Sequence, residues 1–416
     1  MTDSASVRSE GKATATKDGA KPGLVPKLRF PEFRDAKAWK QNTIGAVCQL
    51  KAGDFVSPSA IAAAYTEDSF PCYGGNGLRG YVRSFTHDGT HVVIGRQGAL
   101  CGNVNLFHGR FHATEHALIV TPQKGFSTDW LYFALGKLNL NRFSIGQAQP
   151  GLSVGRLNDV TLATPPEEAE QNRIAECLGS LDERMALQSR KVNMLKNHKK
   201  GLIQQLFPRE GETQPRLRFP EFQNAGVWNE QSIGDFGQVV TGSTPSTLQP
   251  AFYGGGIPFV SPVDISDARF VDHTKTTLTS AGFAETRPIR AGSVLFVCIG
   301  STIGKVAQNV HDCATNQQTN AVVPTSKYSD GFVYFALLHA SDRLASLAGK
   351  QAVPIINKSL FSSVRLLVPK LDEQKRIADC LSSLDALITV ESQKREALKT
   401  HKKGLIQQLF PSLAEV

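Results

Sequence analysis

The sequence lacks any paired spacing of cysteines. The seven present stand at 48, 72, 101, 177, 298, 313 and 380 of 416 residues. Their number is odd and no two are three apart, which excludes a CxxC redox centre and a zinc knuckle and fits a reducing cytoplasm. Cys177 and Cys380 fall on apolar periodic stretches, where a thiol serves as a small buried hydrophobe. Long apolar runs are missing too. None reaches the roughly 18 residues of a membrane-spanning helix, so no membrane partner is expected. Residues Met1 to Gly23 have no apolar centre. They do not make a secretory signal and read as a disordered tail that extends to residue 24.

Catalytic motifs are absent as well. Gly74-x-x-Gly77-x-x-Gly80 lacks the Gly-x-Gly start and the following helix of a dinucleotide loop. Gly300-Ser301-Thr302-Ile303-Gly304-Lys305-Val306 is one residue short of a phosphate loop and lacks its closing Ser or Thr. His108, His112 and His116 are four apart, as on a helix face, but Phe111 and Leu118-Ile119-Val120 read as strand, which argues against a metal site. Asp372-Glu373-Gln374-Lys375 contains a nuclease-like Glu-x-Lys, but its repeat partner Glu170-Gln171-Asn172 has no lysine. Capping and helix-dipole effects account for those acids. Thr164-Pro165-Pro166-Glu167 lacks the Asn and the aromatic of the Asn-Pro-Pro-aromatic element of amino-methyltransferases. No catalytic residue and no metal ligand is named.

What is present points elsewhere. Hydrophobic residues make up 41% and charged residues 20%, the composition of a globular chain, and the length asks for two or more domains. Lys and Arg number 46 against 37 Asp and Glu, a formal charge of +9 that favours a polyanionic partner without selecting one. The chain is also written twice. Lys27-Leu28-Arg29-Phe30-Pro31-Glu32-Phe33 recurs as Arg216-Leu217-Arg218-Phe219-Pro220-Glu221-Phe222, with Trp39 matched by Trp228 and Ile44-Gly45 by Ile233-Gly234. A second block, Glu170 to Pro208, recurs as Glu373 to Pro411 with 25 identities in 39 positions. Between the blocks, residues 46–165 and 235–368 share only a few Gly and Asn/Gln positions.

The second block reads as a long helix. Ile174, Leu178, Leu181, Met185, Gln188, Val192, Leu195, Lys199, Leu202 and Leu206 alternate spacings of four and three, as do Ile377, Leu381, Leu384, Ile388, Glu391, Arg395, Leu398, Lys402, Leu405 and Leu409. This is a heptad seam with polar interruptions. Pro208 and Pro411 stop the helices, and Gly201 and Gly404 loosen their last turns. From Gln171 to Leu206 a straight helix measures ~54 Å. Such a helix needs a partner, and the simplest is its own copy, antiparallel, with Glu391 and Arg395 fixing register. The predicted fold class is α+β. Two globular domains are separated by a long antiparallel two-helix coiled coil in a cyclic pseudo-twofold arrangement. The expected boundaries are a first domain over 25–168, a helix over 169–209, a second domain over 210–371, a helix over 372–411 and a tail over 412–416. The leading Arg-Phe-Pro-Glu-Phe of the first copy is expected beside the end of the second helix.

The intervening domains are Gly-rich with β-branched runs. The first carries Tyr73 to Tyr81, His91 to Ala99 and Ala113 to Val120. The second carries Thr241 to Pro245, Val294 to Val306 and Ala314-Thr315-Asn316-Gln317-Gln318-Thr319-Asn320-Ala321. The strand, Gly-x-x-Gly-Lys loop and Ala-Thr-Asn-Gln-Gln-x-Asn-Ala strand look like a target-recognition domain. With the duplicated Glu-Gln-x-Arg-Ile-Ala helices and Gly-Leu-Ile-Gln-Gln-Leu-Phe ends, residues 25–411 resemble the specificity subunit of a type I restriction–modification system.

That resemblance implies a non-catalytic subunit in which each recognition domain reads one half of a gapped double-stranded DNA site. Two unlike domains imply an asymmetric site. The resemblance also implies two modification and two restriction subunits as partners, which would carry S-adenosylmethionine, ATP and Mg, with no cofactor on this chain. Gln and Asn suit adenine and Arg suits guanine in the major groove, so the candidate DNA-contacting residues are Arg79, Arg96, Gln97, Lys305, Gln317 and Gln318. Lys305, after a loop Gly, suits a phosphate. The plainer reading has the Asn and Gln bonding turn backbone. His198, Lys199, Gln205, His401, Lys402 and Gln408, kept alike in both helices, are the candidate subunit-docking residues. The competing reading is a tandem-domain interaction scaffold that does not bind DNA.

Overall fold

A computed structural model of the chain describes residues 24–75, 77–98, 100–146, 150–349 and 353–413. The tail reading of residues 1–23 lies outside the described residues, as do Asn76 and Ala99 of the quoted motifs and the last three residues of the 412–416 tail. Leu24, assigned to the N-terminal tail, instead accepts a hydrogen bond from the Trp39 amide at 2.7 Å, because it sits over the apolar core of the first domain. The chain divides into two units, residues 1–186 with 396–416, and residues 187–395.

In the first unit, strands Cys48–Ala52, Ala117–Pro122, His91–Gly95 and Val104–Phe107 form an antiparallel sheet in that order. Gly77–Val82, Phe70–Gly74 and His112–Ala113 form a three-stranded sheet, and Lys40–Thr43 pairs with Thr161–Thr164. Helix Thr128–Lys137 buries Trp130, Leu131 and Leu135. Val92, Ile94, Leu118 and Val120 meet these residues in one core. The alternating register that puts them on one face is the period-two rule of a strand.

The second unit repeats this plan. Gly237–Thr241, Thr319–Pro324, Val294–Val297 and Val306–Asn309 run in the same order, extended by Phe270–Val271. Thr276–Leu278, Tyr253–Val260 and Ala314–Thr315 form its three-stranded sheet, and Asn229–Ser232 pairs with Arg365–Val368. Helix Asp330–His339 starts at Ser329, whose hydroxyl accepts from the Phe332 amide, and buries Phe332, Val333 and Phe335. The intervening segments, nearly free of sequence identity, thus adopt one fold. Strand burial and register are set by apolar alternation, and many different side chains satisfy that pattern.

The long helices run Glu168–Leu206 and Leu371–Leu409, one residue longer at the start and two or three shorter at the end than expected. Gly201 and Gly404 do not interrupt them. In the first unit the start of the first helix meets the end of the second, with Ile174, Leu178, Leu409 and Phe410 in one core. In the second unit the arrangement is reversed, with Ile377 and Leu381 packed among Ile203, Leu206 and Phe207. Both contacts are antiparallel. The cysteines correct one expectation: Cys177 and Cys380 are only half-buried, while the other five lie inside the domains. Helix positions flanking a two-stranded seam keep partial exposure; positions inside a sheet core do not. Burial pushes the Cys48, Cys298 and Cys313 thiols up to about 12, so these act as hydrophobes.

Candidate nucleic-acid interface

The loop from His91–Gly95 to Val104–Phe107 and the loop from Val294–Val297 to Val306–Asn309 are built alike. Gly98 and Gly102 have φ of 88° and 89°, and Gly300 and Gly304 have 95° and 94°, a left-handed conformation that favours glycine. The Gly102 amide donates to Gly95 O at 2.8 Å, and the Gly304 amide donates to Val297 O at 3.0 Å. The Gly98 and Gly300 amides donate to Pro150 O and Pro354 O, each at 3.0 Å. The Arg96 amide reaches His116 O at 2.9 Å where the Cys298 amide reaches Gln318 O at 2.8 Å. Backbone positions therefore correspond one to one while the side chains differ: Arg96 against Cys298, Gln97 against Ile299, Asn103 against Lys305.

The six candidate readers fall around these loops. Arg79 is exposed on strand Gly77–Val82, and Arg96 and Gln97 are half-buried beside the Gly98 hinge. Gly75 lets the turn before Arg79 press against them: a Cβ there would lie 2.8 Å from Gln97 O and 2.9 Å from His116 O. The first three candidates therefore gather at one end of the sheets. Arg96 Nη1 also donates to Glu115 O at 3.4 Å. In the second unit, Gln317 is exposed and accepts from Thr244 Oγ1 at 2.9 Å. Gln318 accepts from Asn316 Nδ2 at 2.9 Å and its Nε2 lies by Gly300. Lys305 is exposed, yet its Nζ donates to Ile265 O at 2.9 Å, which ties it to the segment between strands Tyr253–Val260 and Phe270–Val271. Thr244 was not among the candidates; its Thr-Gly-Ser-Thr-Pro motif was visible, its contact with Gln317 was not. His112 lies on strand His112–Ala113, and among the described residues no three metal-ligating side chains gather.

Each domain is fastened to its helix by the same clamp, which the sequence reading missed. Arg29 donates through Nε and Nη2 to both carboxylate oxygens of Glu170, at 2.8 and 2.7 Å, and Trp39 Nε1 donates to the same group at 3.1 Å. Arg218 donates to Glu373 at 2.7 and 2.7 Å, with Trp228 Nε1 at 3.3 Å. The paired glutamate holds the guanidinium pKa above its ordinary value in both copies. Gln171 and Gln374 accept from the Ser127 and Ser329 amides at the helix starts, at 2.9 and 3.0 Å. Glu170 and Glu373, expected to serve capping and the helix dipole, thus face inward to cationic partners, while Asp372 is exposed. The leading motif also reaches the other helix's end: Leu28 N donates to Gln408 O at 3.0 Å, and Leu217 N to Gln205 O at 2.9 Å.

Along the seams, Lys402 Nζ meets Asp182 Oδ1 at 2.5 Å in the first unit, and Lys199 pairs with Asp385 in the second. These two docking candidates are thus engaged within the helix pairs, whereas His198, Gln205, His401 and Gln408 face outward. Gln188 Nε2 donates to Glu391 Oε2 at 2.6 Å and to Glu391 O at 2.8 Å. Bonds from Gln188, Lys394 and Lys191, in that order, hold the Glu391 carboxyl down at about 2. A depressed carboxylate stabilises the fold above its unfolded pKa and ceases to as pH falls through its folded one. Helix-pair stability should therefore decline from about pH 4.5 toward pH 2 through this group. In Glu391→Gln that portion of the decline should vanish in acid titrations followed by circular dichroism; an unchanged profile would discard the assignment.

A duplicated fold with glycine-turned loops, clamped by arginine and glutamate to long helices, defines a class: a tandem-domain protein with two loop sites of one architecture and different side chains. The family model for the type I restriction modification DNA specificity domain matches residues 36–197 and again 226–400, and the chain belongs to that family. The EcoprrI type I restriction enzyme specificity subunit of Escherichia coli is 44% identical over 156 residues, 37% of this chain and 38% of that one. The HindI specificity subunit of Haemophilus influenzae is 32% identical over 147 residues, 34% and 32% of the two chains. The matched stretches thus span about a third of the length of these relatives. A type I restriction–modification S subunit from M. genitalium has the same fold, at TM-score 0.65 and 15% identity over 94% of this chain and 100% of that one.

Proposed function

We propose that this chain is the DNA sequence-specificity subunit of a type I restriction–modification system. Each domain reads one half of a gapped, asymmetric site in double-stranded DNA. The observation that carries this reading is the pair of loops with matching backbone hydrogen bonds and unlike side chains, Arg96-Gln97 in one and Cys298-Ile299 in the other. One backbone frame presenting two chemistries suits two different half-sites. Arg79, Arg96 and Gln97 read or position the first half, and Gln317 and Gln318 the second. Lys305 contacts phosphate once released from Ile265. The chain itself is non-catalytic. S-adenosylmethionine, ATP and Mg belong to two modification and two restriction subunits, recruited through the repeated outward residues His198, Gln205, His401 and Gln408.

Replacing residues 46–165 by another recognition domain, in complex with modification subunits, should change one half of the methylated sequence and leave the other intact. Methylome sequencing of the host reads the result. A change in both halves, or in neither, contradicts the modular reading. DNA binding should also weaken steeply with salt, as phosphate contacts require.

A further inference from the structure

One cluster in the second unit has no equivalent among the described residues of the first. Arg269 is 9% exposed, and its guanidinium lies 4.7, 5.0 and 4.8 Å from the ring centres of Phe270, Tyr334 and Phe335. Nε donates to Gln308 Oε1 at 2.9 Å, and Nη1 donates to Ser382 Oγ of the second long helix at 2.6 Å. Nη1 also lies 3.9 Å from Asp385, the carboxylate that pairs with Lys199 of the first long helix. Room for the guanidinium depends on Gly331: a Cβ there would come within 2.9 Å of Nη2.

The surrounding shell recurs in the first unit. Asp182, Lys402, Tyr132 and Phe133 stand where Asp385, Lys199, Tyr334 and Phe335 stand. The residues that admit the arginine do not recur. Gln308 corresponds to Leu106 by strand register, Gly331 to Asp129 by helix position and Ser382 to Gly179 by the sequence repeat. Strand Phe270–Val271, which delivers Arg269, is likewise extra to the second sheet. Three partner positions differ together with the arginine they serve.

We propose that Arg269 is a positioning residue that locks the second recognition domain to both long helices and so fixes the spacing at which that domain meets its half-site. The consequence for spacing rests on the DNA-specificity reading above; the lock itself does not. Arg269→Met fills the aromatic cage without the polar bonds. The triple variant Arg269→Met, Gln308→Leu, Ser382→Gly places the first unit's residues at two of the partner positions and removes the two side chains that the lost arginine would leave without their bonds to it. Arg269→Lys retains charge but not the two-armed bonding.

The experiment uses the full chain with its modification subunits and duplexes whose gap is one base pair longer or shorter than the host site. Wild type should discriminate against both. In the methionine and triple variants the preference should fall on the order of tenfold, with half-site sequences unchanged, while Arg269→Lys should fall between. A purely structural role would lower methylation equally at all spacings, and that result overturns the proposal. If wild type itself modifies no gapped duplex, the specificity reading has failed, and hydrogen exchange decides the lock. Faster exchange in Asp330–His339 and around Ser382 in Arg269→Met, with Thr128–Lys137 unchanged, supports it. Unchanged exchange at all three overturns it.

Discussion

Glu373→Ala is expected to destabilise the second unit by about 3–5 kcal/mol, the cost of leaving a buried cation without its partner. The Arg218 side chain is 8% exposed and that of Glu373 2%, so water does not replace the lost carboxylate. Both arms of the arginine fork and the Trp228 indole converge on this one group. Its removal therefore strands three donors at once, each a bond to a charged acceptor. The neighbouring pair between Arg376 and Glu221 provides the contrast. It has a similar length, 3.0 Å, but side chains 50% and 48% exposed. Glu221→Ala should cost far less, because water replaces an exposed partner. Glu170→Ala should repeat the large effect in the first unit, where Arg29 is 7% exposed. Denaturant unfolding followed by tryptophan fluorescence measures all three. A loss near that of Glu221→Ala would show that solvent reaches the clamp and that the domains are fastened chiefly by apolar packing.

The clamp also shows what was legible in the sequence. Both its halves were visible as repeats, Arg-Phe-Pro-Glu-Phe and Glu-Gln-x-Arg-Ile-Ala, and the seam positions of the long helices followed from spacing alone. Repetition marks residues under one constraint, but it does not say which repeated residue meets which. Glu170 and Arg29 are 141 positions apart, so no local pattern joins them. The shared fold of the intervening segments was hidden for a different reason. It is held by backbone hydrogen bonds and by glycines at Gly98, Gly102, Gly300 and Gly304, which tolerate any side chain between them. Lys199 and Lys402 are docking candidates by repetition alone. Their repetition is accounted for by Asp385 and Asp182 across the seam. Arg269 occurs once, immediately before strand Phe270–Val271, which has no counterpart among the described residues of the first unit, so a search by repeats passes over it.

Phe207→Ala is expected to cost about 3–5 kcal/mol and to release the end of the first long helix. Phe207 is 2% exposed and lies 6.0 Å from Trp228, 5.5 Å from Phe332 and 5.3 Å from His339, measured between ring centres. Large-to-small substitution there removes transfer energy and leaves a cavity among rings that cannot collapse, since Phe332 and Trp228 are held by the core and the clamp. Phe410→Ala should do the same in the first unit. There the ring lies 5.9 Å from Trp39 and 6.2 Å from Trp130, and Lys137 Nζ donates to Phe410 O and Pro411 O at 2.9 Å each. Burial lowers the Lys137 pKa, because loss of water around the ammonium disfavours its charged form. Phe207→Leu should restore most of the loss, because volume matters more here than ring geometry. Hydrogen exchange gives the decisive measurement. In Phe207→Ala, protection should fall over the last turns of Glu168–Leu206, where the outward His198 and Gln205 lie, and co-purification with modification subunits should fall with it. If protection falls while co-purification holds, those subunits dock elsewhere on the chain and the repeated helix ends serve only to anchor the domains.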